Sequence, residues 1–153
     1  MEIVRSPSSV LASGVTDNNG NFSIPVTDSQ TSTVFCRVVS IDNDPSLGIR
    51  VQSTTSPSAT YAVVSSNVAG HGPNTNLDFG IVTALAGAGG EAFNVFDVLL
   101  DASDYAKSLI GVYPNTSVTT VWSSSSTTGT FYSGSTIRPR RAGTTRSARC
   151  SPR

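Results

Sequence analysis

Residues 12–26 read ASGVTDNNGNFSIPV, and this stretch decides the fold class. Phe22, Ile24 and Val26 alternate with Asn21, Ser23 and Pro25. A period of two is the mark of a strand with one face in a core. Asp17 and Gly20 stand just before it. An Asp side chain accepts local backbone hydrogen bonds and Gly takes positive φ freely, so the pair predicts a tight turn. Pro25 has no N–H to give to a ladder, which predicts an edge position.

Further strand patterns follow downstream. TVFCRVVSI is apolar on both alternations, as a central strand requires: Val34, Cys36 and Val38 on one face, Phe35, Val39 and Ile41 on the other. IRVQST, ATYAVVSSNV and NLDFGIVT come next, and in the last Leu77, Phe79 and Ile81 share a face. The separators DNNG, DNDPSLG, TSPS and GHGPNTN are turn chemistry. Short strands at this spacing predict an antiparallel β-sandwich, with Phe22, Ile24, Val34, Val38, Val63, Leu77 and Phe79 in its core.

The pattern changes after ALAGAGG. Ala92, Val95, Phe96, Leu99, Ala102, Ala106 and Leu109 or Ile110 recur at helical spacing, with Asp97, Asp101, Asp104 and Lys107 largely opposite. This predicts one helix over 92–110, stopped by Gly111 and Pro114. SVTTVW and TFYSGSTI predict a terminal strand pair, separated by an exposed SSSSTTG loop. The expected organisation is a β-sandwich module over 1–83, a Gly/Ala hinge over 84–91, a helix plus two-strand appendage over 92–137, and a disordered tail over 138–153.

The formal net charge is zero, but it hides a split. Residues 1–137 carry four basic residues and ten acidic ones, a net of −6; the tail carries six Arg and no acid, a net of +6. The acidic body, without a basic face or interleaved aromatics, argues against nucleic-acid binding, and the Arg tail is the feature that would support it. The tail draws almost wholly on Arg, Pro, Ala, Gly, Ser, Thr and Cys, the residues of an off-frame reading of GC-rich DNA, and it interrupts the strand that ends near Ile137. Ser and Thr fill 43 of 153 positions against one Lys, which suits extracellular β modules. No apolar run reaches the ~20 residues of a membrane span. The first residues hold no signal peptide. Cys36 lies in a strand pattern and Cys150 in the tail, a context that argues against a disulfide between them.

No catalytic constellation appears. GAGGEA, residues 87–92, matches a dinucleotide fingerprint in form, but the next strand has no acid and a single helix cannot build a doubly wound sheet. DFG at 78–80 has no phosphate loop or catalytic Asp beside it. DNNGN has Gly at the wrong place for a calcium loop. His71 is alone and reads as an exposed turn residue. Trp122 reads as a packing residue. No catalytic, cofactor-binding or metal-ligating residue is assigned, and no cofactor is expected.

The stretch around Gly14, Thr16, Asp17, Gly20, Phe22 and Ile24 resembles the carboxypeptidase regulatory-like (transthyretin-like) β-sandwich family. The run from Gly89 through Ile137 is similar to the helix-plus-strand segment that follows such a sandwich in some secreted bacterial proteins and leads into a zinc metallopeptidase-like domain. H-E-x-x-H is absent here, so no catalytic residue carries over. The resemblance implies a fragment that lacks its first strand, from an extracellular or cell-surface protein, beside a downstream peptidase-like domain. Its expected role is structural or adhesive and non-enzymatic. An unpaired sheet edge beside Glu2–Ser6 or a neighbouring strand would then invite self-association. A nucleic-acid protein and a small hydrolase with an unrecognised Ser site are the rival readings.

Overall fold

The structure, a computed structural model, describes residues 1–138 except 18, 43, 45, 46, 55–58, 74, 115, 116, 126–130, 134 and 135. The Arg-rich segment from 139 on, Cys150 and most of the Ser/Thr loop lie outside the described residues. Among the described residues the chain is mainly β with one helix, and they divide into two compact units. One comprises Met1–Val39 and Ala62–Thr83; the other comprises Ser40–Tyr61 and the described residues between Ala84 and Arg138.

The first unit is built on an antiparallel sheet. Its strands are β1 (Glu2–Arg5), β2 (Ser9–Ser13), β3 (Ser32–Val39), β5 (Ala62–Val64) and β6 (Val68–His71). β3 is the long central strand that its doubly apolar pattern predicts. It pairs with β1 on one side and with β5 and β6 on the other. Ile3, Val4, Val34 and Cys36 are buried at its middle. Glu2 stands directly opposite Arg37, and the two form a cross-strand ion pair at 2.6 Å. Part-exposed pairs of this kind contribute about 0.2–1 kcal/mol.

β5 and β6 are one strand interrupted by bulges. From Val64 to Val68 is four steps, while their partners Arg37 and Val34 are three apart. The extra residue is accommodated at Ser65. Its N–H donates to the Cys36 carbonyl, and its hydroxyl accepts the Cys36 N–H, both at 2.9 Å. A side-chain oxygen thus stands in for the missing ladder carbonyl. A second shift lies between Val68 and His71, where Gly70 takes φ 67°.

Three expectations for this unit need correction. Residues 21–25 and 76–80 keep the alternation of half-buried and exposed positions, which breaks at Val26 and Ile81, and neither segment forms a ladder. Phe22, Ile24, Leu77 and Phe79 are half-buried, and Ile81 is 95% exposed. Gly80 at φ 65° turns the backbone and ends the shared face before Ile81. Lastly, of the two places expected for the edge, β1 is not one, since it pairs on both sides; among the described residues the edges are its neighbour β2 and the β5–β6 line, and each carries a bulge.

The second unit joins β4 (Arg50–Gln52), α1 (Gly90–Ile110), β7 (Thr119–Val121), β8 (Phe131–Ser133) and β9 (Thr136–Arg138). β4 and β7 are parallel, as are β7 and β9; only β8 and β9 are antiparallel. TFYSGSTI therefore supplies two strands, β8 and β9, and SVTTVW pairs with the second of them in parallel as well as with β4. Val51, Ala92 and Trp122 form the core, with Tyr61, Val95, Phe96 and Leu99 packed on it. Ser40 ties three backbone segments together. Its hydroxyl donates to the Val51 carbonyl at 2.8 Å, its N–H donates to Tyr61 O at 3.0 Å, and its carbonyl accepts the Val51 N–H at 2.9 Å.

The helix forms where its apolar spacing predicts, and Gly111 at φ 81° stops it. Its stripe is covered mainly through Leu99, and beyond Leu99 only Ala106 of the stripe is half-buried. Tyr105, Leu109 and Ile110 are each more than 60% exposed. Length explains this: a 21-residue helix is about 31 Å long, whereas three-residue ladders run about 10 Å.

Candidate functional site

The residues of the opening stretch divide between a turn and a groove. Asp17 closes the turn. One carboxylate oxygen accepts the N–H groups of Asn19 and Asn21, each at 2.8 Å, and the other accepts the Asn21 side-chain amide at 3.1 Å. The Asn21 side chain first, then the two backbone donors, hold this carboxyl below the usual carboxylate range. Gly20 follows at φ 80°, its N–H on the Asp17 carbonyl. Gly14 lies under Ile24: a Cβ there would stand 2.9 Å from Ile24 Cγ1.

Phe22 and Ile24 pass from that turn into one wall of a groove of about 910 Å³. Ile3, Leu11 and Val34 of the sheet face form its floor, and Leu77 and Phe79 line it as well. This volume falls within the range of binding clefts. Asp28 and His71 supply polar groups. Asp28 is already engaged: it pairs with Arg5 and accepts the Gln30 N–H at 3.0 Å and the Ser32 hydroxyl at 3.3 Å. The Arg5 hydrogen bond above all holds its carboxyl low, so it is a poor proton acceptor.

The backbone in the groove is unusual. Among the described residues, no N–H or carbonyl from Phe22 to Thr27 makes a hydrogen bond. From Leu77 to Thr83 there is only one, from Gly80 N–H to the Asp78 carboxylate at 2.7 Å. That bond also accounts for the DFG sequence as a local turn.

The other singled-out motifs have local roles. In GAGGEA, Gly87 N–H donates to Glu91 Oε1 at 2.8 Å. Gly90 sits where a Cβ would meet the Ala84 carbonyl oxygen at 2.6 Å. The Glu91 carboxylate thus turns back onto the helix start, where a phosphate would meet like charge. Trp122 is a core residue with its ring 5.6 Å from that of Tyr61, and Tyr61 donates to the Trp122 carbonyl at 2.9 Å. Burial first, and the Glu91 charge second, push the Tyr61 phenol up. His71 ends β6, half-buried, rather than standing exposed in a turn. Among the described residues no three metal-ligating side chains converge.

Sequence reading missed the Arg5–Asp28 pair and Ser65. Opposite charges 23 residues apart carry no periodic signal, and nothing local distinguishes Ser65 from Ser66. No protein family, curated protein or solved structure matches this chain.

Proposed function

We propose that the chain is a non-catalytic structural or adhesive β module that works outside the cell or at its surface. The observation that carries this reading is how the polar side chains are used. Ser40, Ser65 and Tyr61 bind backbone groups, Asp17 closes a turn, and Glu2 and Asp28 pair with Arg37 and Arg5. These six side chains, each able in principle to act as nucleophile, acid or base, are engaged in holding the chain. The Ser- and Thr-rich surface and the context implied by residues 12–26 support the extracellular setting. Among the described residues no helix is long and apolar enough to cross a membrane.

The test is turnover. Purified chain is assayed against ester, peptide and phosphodiester substrates, and no hydrolysis above background is expected. Activity abolished by replacing one Ser would overturn the reading in favour of a hydrolase. Salt-dependent binding to duplex DNA would overturn it in favour of a nucleic-acid protein.

A further inference from the structure

The turn that closes on Asp17 contains a chemical weak point. Asn19 is the one asparagine of the chain that precedes a glycine; the others precede Asn, Phe, Asp, Val, Thr or Leu. The amide carbon of an asparagine side chain is open to attack by the backbone nitrogen of the next residue. A Cβ on that residue hinders the attack, and Gly20 has none. No atom lies within 4 Å of where its Cβ would stand. Asn19 is exposed, and among the described residues its side-chain amide has no hydrogen-bond partner. The restraint lies on the nucleophile. The Gly20 N–H donates to the Asp17 carbonyl at 3.0 Å, and the Asn19 N–H donates to the Asp17 carboxylate at 2.8 Å. The attacking nitrogen must therefore give up a proton that the Asp17 carbonyl holds, beside a carboxylate whose charge disfavours the resulting anion.

We infer that Asn19 is a self-modification site, converted by water to aspartate or isoaspartate through a cyclic imide with Gly20, at a rate that the Asp17 turn holds down. The Gly20 nitrogen bonds to Asn19 Cγ, the Cγ–Nδ2 bond breaks, and the side-chain nitrogen leaves as ammonia with the Gly20 proton. Water then splits the ring, its hydroxyl going to one ring carbonyl and its hydrogen to the nitrogen. Opening at Cγ gives aspartate. Opening at the backbone carbonyl gives isoaspartate, whose main chain is longer by one methylene. Either product adds a carboxylate two residues from that of Asp17. The longer chain no longer fits the closure in which the Asp17 N–H meets the Asn21 carbonyl and the Asn21 N–H meets the Asp17 carboxylate, each at 2.8 Å. This inference goes beyond the proposed structural or adhesive role and does not depend on it.

The experiment keeps the full chain in warm neutral buffer, with and without urea, and follows it by peptide mass spectrometry that tells isoaspartate from aspartate. The expected result is conversion at Asn19 ahead of every other asparagine, and at least about tenfold faster in urea than in the folded chain. Asp17→Ala removes the side-chain acceptor and its charge. It is expected to speed conversion of the folded chain about threefold while the circular dichroism stays unchanged. Gly20→Ala, compared in urea where the turn is gone, is expected to slow conversion at least about tenfold. In the isoaspartate form, amide hydrogen exchange at Asn21 is expected to quicken. Conversion led by another asparagine, or none at Asn19 in urea, would overturn the site. Unchanged conversion in Gly20→Ala would overturn the cyclic route. Equal rates with and without urea, or in Asp17→Ala and the unaltered chain, would overturn the restraint by the turn. Unchanged exchange at Asn21 in the isoaspartate form would overturn the link between the modification and the turn.

Discussion

The two sheets of this molecule solve the same problem by opposite means. In the first, an eight-residue central strand holds neighbours on both sides, and the antiparallel ladders come mostly from near in the chain. In the second, every strand is three residues long. β4 and β7, distant in sequence, lie parallel, and packing of α1 and Trp122 on Val51 does what ladder length does elsewhere. Long ladders make a sheet tolerant of the loss of one side chain. Short ladders concentrate stability in a few core contacts.

The contrast breaks most sharply at Trp122. Trp122→Ala removes the largest core side chain of the second unit, which is only 8% exposed, and is expected to cost about 3–5 kcal/mol. Urea unfolding followed by circular dichroism checks this; a loss below about 1 kcal/mol would mean that the short ladders hold the unit without their core.

Ser65→Ala tests the first sheet at its bulge. It leaves the Cys36 N–H, on a fully buried residue, without its acceptor, and is expected to cost about 1–3 kcal/mol. Ser65→Thr keeps the hydroxyl and is expected to recover most of that in the same thermal melts. Gly70→Ala follows at about 1–2 kcal/mol, because φ 67° suits Gly and strains an L side chain. If Gly70→Ala were neutral, the second bulge would be able to relax.

The smallest effect is an acid limb. The Asp17 carboxyl titrates lower in the folded chain than in the unfolded one. Its contribution is therefore complete above the unfolded value and is lost as pH falls through the folded one. Asp17→Asn is expected to flatten that limb of the stability–pH curve, leaving the part due to Asp28, which is lowered chiefly by Arg5. An unchanged limb would show that the turn does not hold the fold.

What could be read in advance follows the same division. β3 and α1 announce themselves because each is long enough for its period to show, whereas β1 and β2, at four and five residues, are too short for that. NFSIPV and NLDFGIV carry the strand period equally well, yet they stop at alternation. Side-chain burial sets a period, whereas a ladder needs a partner edge, and the periodicity of Phe22 or Phe79 says nothing about that. The parallel pairing of Arg50–Gln52 with Thr119–Val121 leaves no local trace, for its cause is a packing contact between residues far apart. The groove was half legible: its apolar walls were named in sequence as core residues, and its bare backbone was not.

Cys36 gives the first sheet a built-in clock. Its thiol is fully buried and pushed up by that burial, so thiolate is scarce even where a reagent could reach it. An alkylating agent in solution meets this sulphur only after β3 parts from a neighbour. With Cys150 replaced by Ser, the chain holds a single thiol, and the rate at which it is capped counts openings of that sheet alone. The sole tryptophan lies in the other unit, so its fluorescence counts openings there. Two optical records from one tube would then show whether the units come apart together or in turn.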